Sequence, residues 1–407
     1  MLAEPAPRAR PAQAELALWI IGAILVRAVA CQVLNQPLVS DGLGYFNMAG
    51  SMSAGHWPQD QFGQHAFLSI GYPALIAPFF ALFGVKVAVA LAVNLVLGGA
   101  SAALIRALAA QCGLGLAGQR LALAGYTLWL PGIWNATMLA RENLSGALLL
   151  ALALLALNVL RRGPRAGVML ASGLVWGAAV LAGSSALPLI AGPLVALLLV
   201  GARRAALASA LLLLALGAAL ALAPWLWATG RIYGQPLLNT NTGFNLYIGN
   251  NPAATGRFVS VAATPAGATW HALREARGEV GASAELGRQA RGWMLANPVQ
   301  TVTLGVKKLV LFWAPNLPDL AGSKAIALIR IGELMQYLLF VTLGWWGLLA
   351  HGVAVRQRIV FATMVAGFWA LHAIAYIIPR YRDPAVPLLI VLAAAVLARG
   401  LERWRCA

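Results

Sequence analysis

Acidic side chains are scarce: Asp and Glu number 12 among 407 residues, against 29 Lys and Arg. Charged residues of both signs make up only 10% of the chain. A soluble globular domain carries about 25%, so that class is excluded. The three cysteines, Cys31, Cys112 and Cys406, are far apart, which rules out a disulfide framework or a cysteine metal knuckle. Histidine is equally sparse, at five residues. His56 and His65, with Asp60 between them, could bind a divalent metal, but no ligand spacing supports it, so no cofactor is firmly implied; His372 reads as a hydrogen-bonded core residue. The formal charge of +17 does not indicate nucleic acid. The basic residues sit in short clusters between apolar runs, and no basic-aromatic patch occurs on a soluble segment.

What the chain has in abundance is apolar length. It is 61% hydrophobic, with a mean hydropathy of +0.78. Continuous runs rich in Ala and Leu recur from end to end. Runs near 20 residues cross ~30 Å of hydrocarbon as helices. A transmembrane barrel would instead need alternating segments of roughly 10 residues. The fold class is therefore all-α: a polytopic membrane protein of about ten transmembrane helices, read as a single domain over 1–407. "AVACQ" at 28–32 looks faintly like a lipoprotein cleavage box, but cleavage there would delete the first span.

The basic clusters set the orientation. Spans are expected at 16–34, 86–109, 119–134, 143–161, 166–182, 186–201, 205–228, 325–350, 359–378 and 384–400. This alternation puts Arg161, Arg162 and Arg165, Arg203 and Arg204, Arg356 and Arg358, and Arg399, Arg403 and Arg405 in the cytoplasm, as the positive-inside rule requires. Both termini are then inside. Two loops lie outside, at 35–85 and 229–323. "SIGYPALIAPFFALFG" (69–84) is short and holds two prolines. We read it as a helix on the outer interface, because a crossing would invert the loop that carries Arg106 and Arg120. A short interfacial helix is expected at 45–55. Residues 270–298 read as one or two amphipathic helices, and 301–315 as another interfacial segment.

Charge near the hydrocarbon needs a reason, since it costs roughly 2.5–3.5 kcal/mol per residue on insertion scales. On this topology Asp41, Glu142, Glu333 and Asp383 gather at the outer face. With them are Arg27, Arg141, Lys307, Lys308, Lys324, Arg330, Arg380 and Arg382. A cavity there suits a substrate with an anionic head and a hydrocarbon tail. Asp41 is either a helix cap or a general base, ionised at neutral pH. Glu142 is either a helix-start carboxylate favoured by the macrodipole or part of a site. Arg27, inside the first span, either snorkels or pairs with a carboxylate or phosphate. In "IIPRYRDPAVP" (377–387), Arg380 and Arg382 put positive charge on the outer side, where it is disfavoured, and arginine's planar fork matches phosphate. Lys307 and Lys308 break the same rule.

Taken in order, these segments resemble the polyprenyl-phosphate-dependent glycosyltransferases of the GT-C class. That class includes protein O-mannosyltransferases and lipid A aminoarabinose transferases. The resemblance rests on "SDGLGYFNMAGSM" (40–52), "SIGYPALIAPFFALFG", "NATMLARENLSGALLLALALL" (135–155), "APWLWATGRIYGQPLLNTNTGFNLYIGNNPAATG" (223–256), "NPVQTVTLGVKKLVLFWAP" (297–315) and "PRYRDPAVPLLIVLAA" (379–394). It implies inverting transfer of a sugar from a polyprenyl-phosphate donor to a lipid, glycan or lipopolysaccharide acceptor, with no nucleotide required. The site would face the outside of the cytoplasmic membrane.

By the same resemblance, Asp41 takes the acceptor's proton, and Glu142 stands next in line. Arg382, Arg380 and Lys307 or Lys308 neutralise the leaving phosphate. Tyr45, Tyr72, Tyr381, Asn250 and Asn251 join the substrate-binding set through their motifs. Two departures stand out. "AGSSALP" (182–188) lacks the basic residue many relatives carry after the fifth span, leaving that contact absent or supplied by Arg27. "SDG" lacks a second adjacent acid, so metal dependence does not carry over. The alternative reading is a transporter or flippase for an anionic lipid, which would use the cations without a base.

Overall fold

The computed structural model describes residues 9–317, 323–350 and 352–406. The basic start of the chain, 1–8, and residues 318–322 of the second loop lie outside the described residues. Sixteen α-helices follow one another: α1 (Ala9–Leu34), α2 (Ser40–Ser53), α3 (Gly71–Phe83), α4 (Val87–Gln111), α5 (Leu116–Thr127), α6 (Leu130–Ala136), α7 (Glu142–Arg162), α8 (Ala166–Ala182), α9 (Ala191–Val200), α10 (Arg204–Tyr233), α11 (Thr242–Gly249), α12 (Trp270–Ala296), α13 (Pro298–Trp313), α14 (Lys324–Leu349), α15 (Val355–His372) and α16 (Val386–Cys406). Apart from one isolated bridge between Arg257 and Ile377, the described residues contain no extended pairing. This is an all-α, multi-pass membrane fold.

Among the described residues, five helices are long and apolar enough to cross a membrane: Ala14–Leu34, Val87–Gln111, Glu142–Arg162, Arg204–Tyr233 and Ile326–Leu349. Of the other expected spans, α16 is an unbroken helix of 21 residues and α15 one of 18, and the rest are shorter or broken. The third, expected as one run over 119–134, is two helices, α5 and α6, split at Leu128 and Trp129. Pro131, in the first turn of α6, breaks the helix locally, and a distant side chain closes the gap. Gln336 of α14 donates from Nε2 to the Leu128 carbonyl at 2.9 Å and accepts from the Leu130 amide at 2.9 Å. One side-chain amide thus satisfies backbone groups that lipid could not. The sixth span begins as a 3-10 turn at Ser184–Ile190 that runs into α9.

The core is centred on α16, where every residue from Val386 to Ala395 other than Pro387 is an apolar side chain shielded to 2% exposure or less. A helix apolar all round belongs inside a bundle. Helices α8 and α10 approach through Gly173 and Gly217, each set against the other helix's backbone so closely that a Cβ has no room. Small residues are how membrane helices reach such contact. Outward-facing apolar side chains, such as Val33, Leu198, Leu212 and Leu220, present a surface suited to lipid.

The helices expected at the interface are present. Helix α3, at 13 residues, is about 20 Å long, too short to cross. Helix α12 bends at Gly278, whose φ is +63°, so 270–298 is two helical pieces. Helix α13 exposes Val299, Val302, Val306 and Val310, a stripe at three- and four-residue spacing.

Candidate active site

The site starts from the turn into α2. Ser40 has a φ of +52°, in the left-handed region that non-glycine residues seldom occupy. Helix α2 has no side-chain cap, and Val39 holds the N-cap position. Asp41 therefore does not cap its own helix. Its Oδ2 accepts a hydrogen bond from Arg380 Nη2 at 2.9 Å, across 339 residues of sequence. The Asp41 side chain keeps 46% of its surface exposed, so the carboxylate is paired yet reachable.

Arg380 also lies with Nε 3.3 Å from Glu142 Oε1, near enough for an ion pair though not aligned for a hydrogen bond. Glu142 opens α7 and its side chain is only 5% exposed. A buried carboxylate needs a cation, and Arg380 is that cation. The preceding residue, Arg141, donates from Nη1 to Ser69 Oγ at 3.2 Å and lies over the Tyr381 ring at 5.9 Å. Four charges, Asp41, Arg380, Glu142 and Arg141, thus meet between α2, α7 and the turn Pro379–Arg382.

They line a cavity of about 1010 Å³. Its walls come from residues 36–45, 62–69, 137–142, 184–187, 236–246 and 371–381, with Val87 and Phe258. Nearly all of these are connections that the span alternation puts on a single side of the membrane. The lining is mixed: Leu38, Val39, Val87 and Leu187 are apolar, while Asn239, Asn241 and Asn245 are polar. Such a cavity accommodates a molecule part hydrocarbon and part polar. Tyr45 and Tyr381 also line it. Tyr45 is 3% exposed and packs edge-on to Tyr72, ring centroids 5.4 Å apart.

Several candidate residues lie elsewhere. Tyr72 is fully buried and donates to Asn94 Oδ1 at 2.7 Å. Arg27 is 1% exposed. It donates to the carbonyls of Ala23 and Tyr126 and sits 4.5 Å from the Tyr126 ring centroid, so it neither snorkels nor pairs with a carboxylate. Lys308 is buried and donates to Asn250 Oδ1 at 2.9 Å, which ties α13 to the end of α11. Asn251 closes its own turn, donating to the Tyr247 carbonyl and accepting from the Ala253 amide. Lys307 is exposed on α13, outside the cavity lining.

Arg382 is the clearest departure from expectation. It is 4% exposed, donates to the carbonyls of Phe312 and Ala314, and lies 4.1 Å from the Tyr337 ring centroid. Arg380 and Arg382 occupy one 3-10 turn. At three residues per turn, positions two apart point about 120° away from each other. One arginine therefore faces the cavity and the other braces α13.

Arg141 is the functional candidate that motif matching left out. Its guanidinium lies against Gly183, where a Cβ would meet Nη1 at 2.8 Å. It thus fills the place beside "AGSSALP" that lacked a basic residue. The signal was an arginine adjoining Glu142 at a helix start, where a positive charge is unfavourable.

The rim is strapped together by Glu279 of α12. Its carboxylate accepts from the His65 amide at 3.2 Å and the Thr240 hydroxyl at 3.0 Å. The Thr240 amide donates to the Ala66 carbonyl, and Asn241 Nδ2 to the Phe67 carbonyl. The first and second polar segments are thereby joined. Burial pushes the Glu279 carboxyl up to about 7, and the nearby Asp60 adds to this. Asp60, whose Oδ1 accepts from the Phe62 and Gln64 amides, is itself raised by burial. At Asp41 it is Oδ2 that faces the Arg380 guanidinium. Among the described residues no three His, Cys, Asp or Glu gather to hold a metal ion.

No family model and no curated protein matches the chain. Solved structures do. A crystal structure of the Archaeoglobus fulgidus oligosaccharyltransferase with Zn and sulfate aligns over 94% of this chain and 49% of its own, at 13% identity and a TM-score of 0.52. The archaeal oligosaccharyltransferase AglB from the same organism, in complex with an inhibitory peptide and a dolichol-phosphate, aligns over 95% and 51%, at 11% identity and a TM-score of 0.50. The chain spans about half the length of these structures. Its fold is GT-C-like, a helical membrane bundle similar to that of the archaeal oligosaccharyltransferases.

Proposed function

We propose that the protein is an inverting glycosyltransferase that moves a sugar from a polyprenyl-phosphate donor to a lipid, glycan or lipopolysaccharide acceptor. The transfer takes place on the outer face of the cytoplasmic membrane. The observation that carries this reading is the Asp41–Arg380 pair on the wall of a cavity both apolar and polar. Asp41 accepts the acceptor's hydroxyl proton as the oxygen bonds to the anomeric carbon. The bond from that carbon to the phosphate oxygen breaks, and its electron pair stays on the phosphate. Arg380 and Arg141 neutralise that charge, fixed in place before the reaction by the ion pair and the Ser69 hydrogen bond. The dolichol-phosphate held by the archaeal oligosaccharyltransferase supports a polyprenyl-phosphate donor, and the basic clusters on the opposite side of the bundle support the orientation.

The test is release of polyprenyl phosphate by purified protein. Wild type and Asp41→Asn are offered a panel of polyprenyl-phosphate sugars with an envelope acceptor extract. Release by wild type alone is expected, with lipid-phosphate binding retained in Asp41→Asn. Equal release would move the base to Glu142. Tight binding with no release by either, across the whole panel, would favour the transporter.

A further inference from the structure

Behind Glu142 lies a second cavity, of about 30 Å³. Its walls include Arg27, Trp129, Asn135, Asn143 and Asp383, and Glu142 is the one residue that lines both this chamber and the large cavity. One water needs roughly 10–15 Å³ of such space and two to four polar partners. The chamber has room for about two waters on that measure, and its walls supply the partners. The Trp129 indole N–H is buried without an acceptor, and Trp129 is 2% exposed. Arg27, 1% exposed, spends its two hydrogen bonds on backbone carbonyls, although a guanidinium carries five donors. Asp383 Oδ2 accepts from Asn135 Nδ2 at 2.7 Å, and Asn143 Nδ2 donates to the Asn135 carbonyl at 2.8 Å. A cation, two carboxylates and an unpaired N–H around that volume make a place for water, whereas dry cavities are apolar.

We propose that ordered water in this chamber couples Glu142 to Asp383, so that a proton reaching Glu142 from the large cavity is shared with Asp383. The source of that proton rests on the transfer reaction above; the coupling itself does not. The proton leaves the acceptor hydroxyl for Asp41 and passes through cavity water to Glu142. It then crosses the chamber by hops in which each water gains one proton and gives one up, with no change in electrons. Asp383 is on this account a positioning residue, since it touches no substrate and acts through Glu142. The charged and titratable groups facing Glu142 are Arg380, Asp41, Arg141, Tyr45, Tyr72 and Tyr381. Those facing Asp383, besides Glu142 itself, are Arg382, Glu333 and Tyr337, and the chamber adds Arg27 and Tyr126.

Gly146 provides the means to test this. It stands one helical turn after Glu142 on α7 and lines the chamber. A Cβ there would meet Pro384 Cα at 3.6 Å, an ordinary contact, so Gly146→Ala fits the fold while placing a methyl group where water would sit. The protonated-carboxyl stretch is followed by infrared spectroscopy against pH in purified, ligand-free protein. Wild type, Glu142→Gln, Asp383→Asn, Gly146→Ala and Gly146→Ala with Glu142→Gln are compared, all shown to be folded by thermal melts. If the two groups are coupled, Glu142→Gln moves the Asp383 titration by about one pH unit or more. In the Gly146→Ala background the same removal moves it less. An Asp383 midpoint unmoved by Glu142→Gln overturns the coupling. An undiminished shift in the Gly146→Ala background overturns the role of water. Neither result depends on turnover, so failure to detect sugar transfer would reject the proposed function and leave this measurement readable.

Discussion

Arg380 faces two carboxylates at once, with Nη2 2.9 Å from Asp41 Oδ2 and Nε 3.3 Å from Glu142 Oε1. The two acids differ in burial: Glu142 is 5% exposed and Asp41 is 46% exposed. One arginine therefore neutralises a carboxylate that must stay and orients one that water and substrate can reach.

Arg380→Ala should cost both stability and lipid binding. Glu142 loses its cation while remaining buried, for about 1–3 kcal/mol, at the low end because Arg380 is 35% exposed. Thermal unfolding in detergent measures the first effect and titration with polyprenyl phosphate the second. Arg380→Lys keeps the charge without the fork and should fall between. Unchanged lipid-phosphate affinity in Arg380→Ala would remove this residue from the donor site.

Arg382→Ala should cost stability alone. Its guanidinium holds the carbonyls of Phe312 and Ala314, so the variant leaves the C-terminal end of α13 untied. Stability is expected to fall by about 1–3 kcal/mol, with polyprenyl-phosphate affinity unchanged. A selective loss of affinity at wild-type stability would place Arg382 at the phosphate.

The Glu279 strap gives a pH dependence of known sign. A carboxyl whose folded value rises to about 7 by burial binds more protons folded than unfolded between its ordinary range and that value. Stability therefore falls as pH rises from about 4.5 to 7, then levels off. Glu279→Gln keeps an acceptor for the His65 amide and should flatten this limb. Melting temperature against pH, wild type beside variant, is the measurement. An equally steep limb in Glu279→Gln would assign it to another group.

Gly173→Leu should separate α8 from α10. The position abuts the Leu214 carbonyl, so the side chain must displace backbone rather than a flexible tip. Overpacking of this kind costs about 1–3 kcal/mol or more. The expected result is a lowered melting temperature and reduced yield from membranes. A melting temperature equal to that of wild type would contradict the close approach.

Hydropathy and charge alternation made the helical order legible, because both operate within a single segment. They also grouped Asp41, Glu142, Arg141 and Arg380 on a single side. They could not separate Arg380 from Arg382, since direction around a 3-10 turn is invisible to residue type. Nor could they show that Lys308 has Asn250 as its partner, 58 residues away. Arg27 was ambiguous for the same reason. A charged residue in an apolar run announces a requirement, and only packing shows that two carbonyls and the Tyr126 ring meet it. Motif matching favours positions a family repeats and does not single out Arg141, whereas the space it fills beside Gly183 is a property of this fold.

The Gln336 fork has a consequence for biogenesis. The backbone break it closes, at Leu128–Leu130, is made 206 residues before the glutamine that satisfies it. At 5–20 residues per second of synthesis, that is about 10–40 s. During this interval the α5–α6 segment has exposed backbone groups and no Gln336 to bond them. Until α14 arrives, water or another partner has to satisfy these groups. A joint begun in the first third of the chain is thus completed only by the last third.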